Sequence, residues 1–212
     1  DECAIIAARH ADVALIDLIV AEGAVPPEVL FALEDALARL LFRWGIRADV
    51  ILGHGIGEYI AAIVAGALSL EEGLMLISAH GKPTRNIVAR QINYKPIGLP
   101  LVSGFSAELI PTATALNAKH WQQPSQPLEA SLNTLVKHKY THIIQLGGTG
   151  SPSPLPMLTI DGAGWGSLLD VAAQLYAVGV PVDWVAFDAD YPRQRVPLPN
   201  YPFQHNVNRS LF

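Results

Sequence analysis

Cysteine is almost absent from this sequence, since Cys3 is the single one in 212 residues. An internal disulfide framework is therefore excluded, and one isolated thiol is typical of a reducing, cytoplasmic location. Charge is also scarce, with 16% charged residues and a formal net charge of −5. That balance argues against nucleic acid as a partner, because phosphate binding requires clustered lysine and arginine.

Long hydrophobic runs are missing too. The longest, residues 59–70, is well short of the roughly 18 residues that a membrane span needs, so we expect no membrane association. The first ten residues lack the basic start and cleavage site of a signal peptide. The histidines at 120, 138, 142 and 205 have too few carboxylate or cysteine neighbours to predict a metal site. We expect neither a metal nor a cofactor.

The most informative stretch is residues 49–66, which read DVILGHGIGEYIAAIVAG. A short apolar run is followed by three glycines in five residues, and then by apolar residues at helical spacing. Strand, tight glycine turn and helix form the layout of a nucleophile elbow, whose apex residue is lifted out of the sheet. The apex here is Gly55, which has no side chain.

Residues 53–59 (GHGIGEY) resemble the GHSxGEY signature of acyltransferase domains of type I polyketide synthases, which malonyl-CoA:acyl carrier protein transacylases also carry. Residues 30–45 and 65–81 are similar to the segments that flank this elbow in the family. Residues 195–204 (RVPLPNYPFQ) resemble the linker that follows such acyltransferases. The chain thus resembles a degenerate, truncated acyltransferase domain with its linker.

The resemblance implies that the chemical groups of the family are missing. Gly55 stands where the family has its serine nucleophile, and His80 stands where it has the arginine that pairs with a malonyl-type carboxylate. The family's catalytic histidine follows an inserted ferredoxin-like subdomain, which the resemblance implies is deleted here, and the glutamine loop GQGSQ is not found. We therefore predict no catalytic residue, with His54, Gly55, Ile56 and His80 as degenerate active-site positions.

Three neighbouring features have simpler interpretations. His54 has no hydroxyl beside it to activate, so we expect a packing or hydrogen-bonding role. Glu58 lies in the first turn of the elbow helix, where a negative charge is favourable. Residues 147–150 (GGTG) lack the lysine of a phosphate-binding loop and are expected to form a plain turn.

The expected fold class is α/β, namely the larger subdomain of the acyltransferase fold: a short parallel sheet flanked by helices. Residues 1–180 would form this domain and residues 181–212 the extended linker. The small subdomain would be absent or reduced to a short loop around residues 82–92. Patterns of apolar residues predict helices at 1–20, 30–45, 70–80 and 164–179, and a strand at 141–146.

The function expected from the resemblance is an inactive acyltransferase remnant of a modular polyketide synthase. It would act as a structural spacer, or as a docking platform for a trans-acting acyltransferase and an acyl carrier protein, beside the adjacent ketosynthase and linker domains. One alternative is a working acyl-CoA:acyl carrier protein acyltransferase that draws groups from a neighbouring domain. Another is a hydrolase, although none of Ser78, Ser103 and Ser106 lies on the elbow.

Overall fold

The computed structural model describes residues 27–147, 152–160 and 165–189. Seven α-helices lie in these ranges: α1 (Pro27–Arg43), α2 (Gly57–Val64), α3 (Leu70–Ser78), α4 (Arg85–Gln91), α5 (Leu128–Lys137), α6 (Trp165–Ala177) and α7 (Trp184–Asp188). A single 3-10 turn spans His120–Gln122 within the same ranges. No helix among the described residues is long and apolar enough to cross a membrane.

The strands form two small sheets. They are β1 (Ile51–Gly53), β2 (Leu101–Ser103), β3 (Leu109–Ile110), β4 (Ile143–Leu146) and β5 (Met157–Ile160). In the first sheet β1 pairs with β2 in parallel, and β3 adds to β2 in antiparallel orientation. In the second sheet β4 and β5 are parallel. The predicted α/β class with short parallel sheets flanked by helices is confirmed.

Helix α1 connects the two sheets. It carries an apolar stripe whose buried members include Phe31 and Leu41, and that stripe follows from the spacing of its apolar residues. The helix ends before Gly45, whose φ of +79° is the left-handed conformation that glycine adopts at helix ends. Residues 46–50 then lead to the start of β1.

Three apolar clusters form the core of the described residues. One surrounds α2 and α3, and includes Tyr59, Leu76 and Trp121. A second packs the end of α1 against β5 and α6. A third packs α5 against β2 and contains Val102, Leu132 and Leu135. Helix α3 starts in a capping box, in which Ser69 and Glu72 satisfy each other's backbone N–H groups. Both α1 and the third cluster, at α5, lie between the two sheets.

Two expectations for local structure were wrong. Residues 82–92, expected as a short loop, contain α4, whose Ala89 is fully buried against the first cluster. Residues from 181 onward, expected as extended, contain α7, because the Asp183 carboxylate caps the N–H groups of Val185 and Ala186. The helix predicted at 1–20 and most of the linker lie outside the described residues.

Candidate functional site

The elbow is built as its sequence predicts. Strand β1 ends at Gly53, three residues make the turn, and α2 begins at Gly57. The Gly57 N–H donates to the His54 carbonyl at 3.0 Å, and the Glu58 N–H donates to the Gly55 carbonyl at 3.3 Å. These bonds fold the turn tightly onto the first turn of the helix.

Gly55 at the apex has a φ of +59°, the left-handed region that side chains disfavour. A Cβ built on Gly55 would meet nothing within 4 Å. The apex therefore faces open space, and the position offers neither a hydroxyl nor a thiol. The backbone geometry of a nucleophile elbow is present, and the reactive atom is not.

Below the apex lies a fully buried carboxylate. Glu58, with 0% exposure, accepts hydrogen bonds from the Ser103 hydroxyl at 2.6 Å, the Gly104 N–H at 2.8 Å and His120 Nε2 at 2.8 Å. These partners lie at the end of β2 and in the 3-10 turn. Glu58 therefore links the elbow helix by hydrogen bonds to two segments that are distant in sequence. We had expected only a favourable interaction with the helix dipole.

The backbones around this carboxylate approach closely. A Cβ on Gly104 would lie 2.5 Å from the Gly53 carbonyl oxygen, and one on Gly53 would lie 2.6 Å from the Glu58 Cα. Side chains at either position would push β1, β2 and α2 apart. Glycine at both positions is what allows the Glu58 carboxylate to reach the Gly104 N–H.

His80, one of the four predicted degenerate positions, is hydrogen-bonded to Tyr59. The Tyr59 hydroxyl and His80 Nδ1 are 2.9 Å apart, and the Tyr59 ring stacks on Trp121 with centroids 4.9 Å apart. Burial raises the pKa of the Tyr59 hydroxyl, and the nearby Arg85 guanidinium, which also hydrogen-bonds it, opposes that rise. His80 thus belongs to an aromatic, hydrogen-bonded cluster.

His54, beside the apex, is exposed and donates from Nε2 to the Gln126 carbonyl at 3.1 Å. Of the three serines considered for a hydrolase, Ser103 is fully buried and donates its hydroxyl to Glu58. Ser106 accepts a bond from the Glu108 N–H at 3.3 Å, and Ser78 ends α3. None of these serines stands at the apex.

Within the described ranges, no group of three or more His, Cys, Asp and Glu side chains could hold a metal ion. Sequence reasoning did not find the cluster of Glu58, Ser103 and His120, because its members lie 45 and 62 positions apart. The sequence does indicate that Glu58 needs partners, because a carboxylate that is buried in an otherwise apolar helix must be hydrogen-bonded.

Comparison with known proteins places this geometry in a family. Residues 23–93 match the acyl transferase domain family. The chain is 32% identical over 191 residues to the spectinabilin polyketide synthase system protein NorC of Streptomyces orinoci, a match that covers 82% of this chain and 8% of NorC. A shorter match, 57% identical over 53 residues, covers 25% of this chain and 1% of the mycoketide-CoA synthase of Mycobacterium tuberculosis.

Solved structures agree on the fold. The acyltransferase domain from the second module of the salinomycin polyketide synthase superimposes with a TM-score of 0.76 at 21% identity, covering 94% of this chain and 72% of that one. The acyl transferase domain of ZmaA gives 0.76 at 16% identity, with the same two coverages. This chain therefore has the acyltransferase fold.

Over residues 23–93 the chain matches the acyl transferase domain family, and along most of its length it is similar to polyketide synthases and shares the fold of their acyltransferase domains. It spans only a small part of the length of the curated relatives that it matches, 8% in the case of NorC. Those relatives are far longer proteins.

Proposed function

We propose that this domain does not form an acyl-enzyme at its elbow, and that it serves a polyketide synthase as a structural spacer or docking platform. The observation that supports this most directly is Gly55. Acyl transfer through a covalent intermediate requires a nucleophile at the apex, and the apex residue has no side chain. Loss of a catalytic triad member alone costs about four to six orders of magnitude in rate.

The surroundings of the apex support the same proposal. His80, in place of the family's arginine, is already bonded to Tyr59, and an imidazole cannot make the bidentate contact of a guanidinium with a carboxylate. Helix α4 leads within ten residues to β2, which favours the absence of the small subdomain and its histidine. His54, Gly55, Ile56 and His80 are then the remains of an active site.

The platform role follows from what the chain retains. The elbow turn, the buried Glu58 contacts and the three apolar clusters of the described residues are present. We propose that this scaffold binds a trans-acting acyltransferase or the acyl carrier protein, or holds the adjacent ketosynthase and the linker of residues 181–212 in position. Calorimetric titration with a discrete acyltransferase and the carrier protein tests the docking role, and no heat of binding would leave the spacer role alone.

Intact-protein mass spectrometry after incubation with malonyl-CoA and with acetyl-CoA tests the loss of acylation. We expect no added acyl mass on the native chain. Gly55→Ser supplies the hydroxyl into open space, at a backbone cost of about 1–2 kcal/mol for the left-handed conformation. Gly55→Ala is the matched control, since it adds the same Cβ and backbone strain without an oxygen.

Acylation of Gly55→Ser but not of Gly55→Ala would show that the pocket still binds coenzyme A esters. An acyl mass on the native chain would overturn the proposal, and peptide mapping would then identify the nucleophile. That result would instead favour a working acyltransferase that uses groups from elsewhere in the synthase.

A further inference from the structure

Negative charge is missing from a long stretch in the middle of the chain. No aspartate or glutamate occurs between Glu72 and Glu108. The same stretch contains four lysine and arginine side chains, namely Lys82, Arg85, Arg90 and Lys95. The chain as a whole has a formal net charge of −5. Positive charge is therefore concentrated in the segment that contains α4, within an otherwise acidic protein.

Lys82 and Arg85 line one surface cavity of about 330 Å³, together with Asn86. Lys82 is exposed, and no ion pair of its ammonium group is found in the part of the chain that the structure describes. Arg85 is half-buried, and its guanidinium donates a hydrogen bond to the Tyr59 hydroxyl. A guanidinium has five N–H donors, so it can bond a ligand as well. A carboxylate in the cavity would therefore meet two positive charges, one of which is already held in position.

Next to this cavity, α4 exposes an apolar side chain. Ile87 is 60% exposed, whereas Ala89 on another side of the helix is buried in the first cluster. Arg90 is also exposed, and it lies one helical turn from both Asn86 and Ile87. Along α4, an exposed isoleucine thus lies between the cationic cavity and a further arginine.

We infer that the α4 surface, formed by Lys82, Arg85, Asn86, Ile87 and Arg90, binds an acidic amphipathic helix of a partner protein. One carboxylate of that helix would enter the cavity, another would pair with Arg90, and an apolar side chain between them would pack on Ile87. Arg85 and Arg90 are about 7.5 Å apart along the helix axis. Carboxylates at positions i and i+4 of a partner helix are separated by about 6 Å and share one face. A helix therefore presents its charges at a spacing that these cations can meet.

A protein partner matches this surface better than nucleic acid or an anionic membrane does. Both of these are polyanions, and a chain with a net charge of −5 repels them as a whole. Nucleic acid offers no apolar side chain to Ile87, and membrane binding requires an apolar face larger than one isoleucine. Complementary charged patches, in contrast, steer protein association and fix its register.

The inference rests on the proposed docking role and deepens it, because it gives the charge and the shape of the partner segment. It also places the contact on the exposed side of α4 rather than at the elbow. Acylation of residue 55 is therefore a separate question, and the mass spectrometry described above does not bear on the α4 surface.

Fluorescence anisotropy of a labelled peptide, titrated with the whole 212-residue chain, tests the inference. The probe is fluorescein-Gly followed by two copies of Glu-Ala-Ala-Leu-Glu-Ala-Ala, which places glutamate and leucine on one face of a helix. Its control carries glutamine in place of every glutamate. We expect the glutamate peptide to bind at low salt, at least about ten-fold more tightly than the glutamine peptide. Its binding should weaken as the salt concentration rises.

Variants at exposed positions locate the effect. The double variant Lys82→Glu, Arg90→Glu reverses two charges of the α4 surface and should weaken binding of the glutamate peptide at least about ten-fold. Ile87→Ala removes the apolar contact without changing charge, and should weaken binding about three-fold. Lys137→Glu, at an exposed position of α5, is the matched control and should leave binding unchanged.

Equal binding of the two peptides, or a double variant that binds the glutamate peptide as tightly as the native chain, would overturn the inference. So would binding of a short DNA duplex or of phosphatidylserine vesicles in the absence of peptide binding. The proposed function fails separately. A carrier protein that binds the native chain and the double variant equally would overturn the inference and leave the docking role in place. Peptide binding that the double variant abolishes, with no heat from the discrete acyltransferase or the carrier protein, would remove those two partners and support the α4 surface.

Discussion

Replacing Glu58 by alanine should destabilise the fold more than any change at the apex. The substitution leaves the Ser103 hydroxyl, the Gly104 N–H and His120 Nε2 without their acceptor. Ser103 is fully buried and His120 is 7% exposed, so water cannot readily replace the lost bonds. Unsatisfied buried groups cost about 1–3 kcal/mol each, and broken buried pairs typically cost about 3–5 kcal/mol.

We therefore expect Glu58→Ala to lower the free energy of unfolding by about 3–5 kcal/mol, a large share of the roughly 5–15 kcal/mol of an ordinary domain. Glu58→Gln should cost less, about 1–3 kcal/mol. Its amide oxygen can still accept from the Gly104 N–H, but its NH₂ cannot accept from the Ser103 hydroxyl. Urea denaturation followed by circular dichroism measures both changes.

Glu108→Ala is the control, because this carboxylate is exposed and its removal should change stability by less than about 0.5 kcal/mol. If Glu58→Ala proved as mild as the control, the buried cluster would not fasten the elbow, and the reasoning from its three bonds would be refuted. Should Glu58→Gln cost as much as alanine, the carboxylate charge rather than the number of bonds would be decisive.

Two further predictions concern packing and pH. Gly104→Ala should lower the free energy of unfolding by about 1–3 kcal/mol, because its Cβ would lie 2.5 Å from the Gly53 carbonyl oxygen. Gly166→Ala is the control, since open space surrounds that Cβ in helix α6. In the same urea assay it should be neutral or stabilising. Since burial raises the pKa of the Glu34 carboxyl to about 7 in the fold, the folded chain keeps a proton that the unfolded chain releases. The free energy of unfolding should therefore fall as the pH rises from 5 to 8, by at most about 3 kcal/mol. Glu34→Gln should remove the part of this fall that is due to Glu34. Equal pH profiles for the native chain and the variant would contradict the raised pKa of Glu34.

The sequence predicts correctly those elements that are specified by their own residues. Helix α1 follows from an apolar stripe closed by Gly45, the elbow from its glycines, and α6 from a long amphipathic run that spans Trp165–Ala177 against the predicted 164–179. In each case the residues that specify the element are its own. Local propensity and tertiary packing agree there, so pattern reading succeeds.

What the sequence did not reveal depends on contacts between distant residues. Helix α4 has no long apolar stripe, and one buried residue, Ala89, packs against the first cluster. The cap of α7 by Asp183 was overlooked among prolines and aromatics that suggested an extended segment. The Glu58 cluster joins residues 58, 103 and 120, and a single sequence contains no signal that pairs them.

Under the proposal that this domain has lost its activity, the contacts of the elbow explain how the fold would persist without the reaction. The apex contributes nothing to packing, since Gly55 faces open space with a backbone angle that glycine adopts without strain. The stability of the elbow comes from Glu58 and the close approach of Gly53 and Gly104, one turn below. A serine at the apex would add a hydroxyl and about 1–2 kcal/mol of backbone strain, so the proposed change from serine to glycine would remove the nucleophile and relieve that strain. Selection for a folded surface alone would therefore preserve Glu58 and both glycines and leave position 55 free to change.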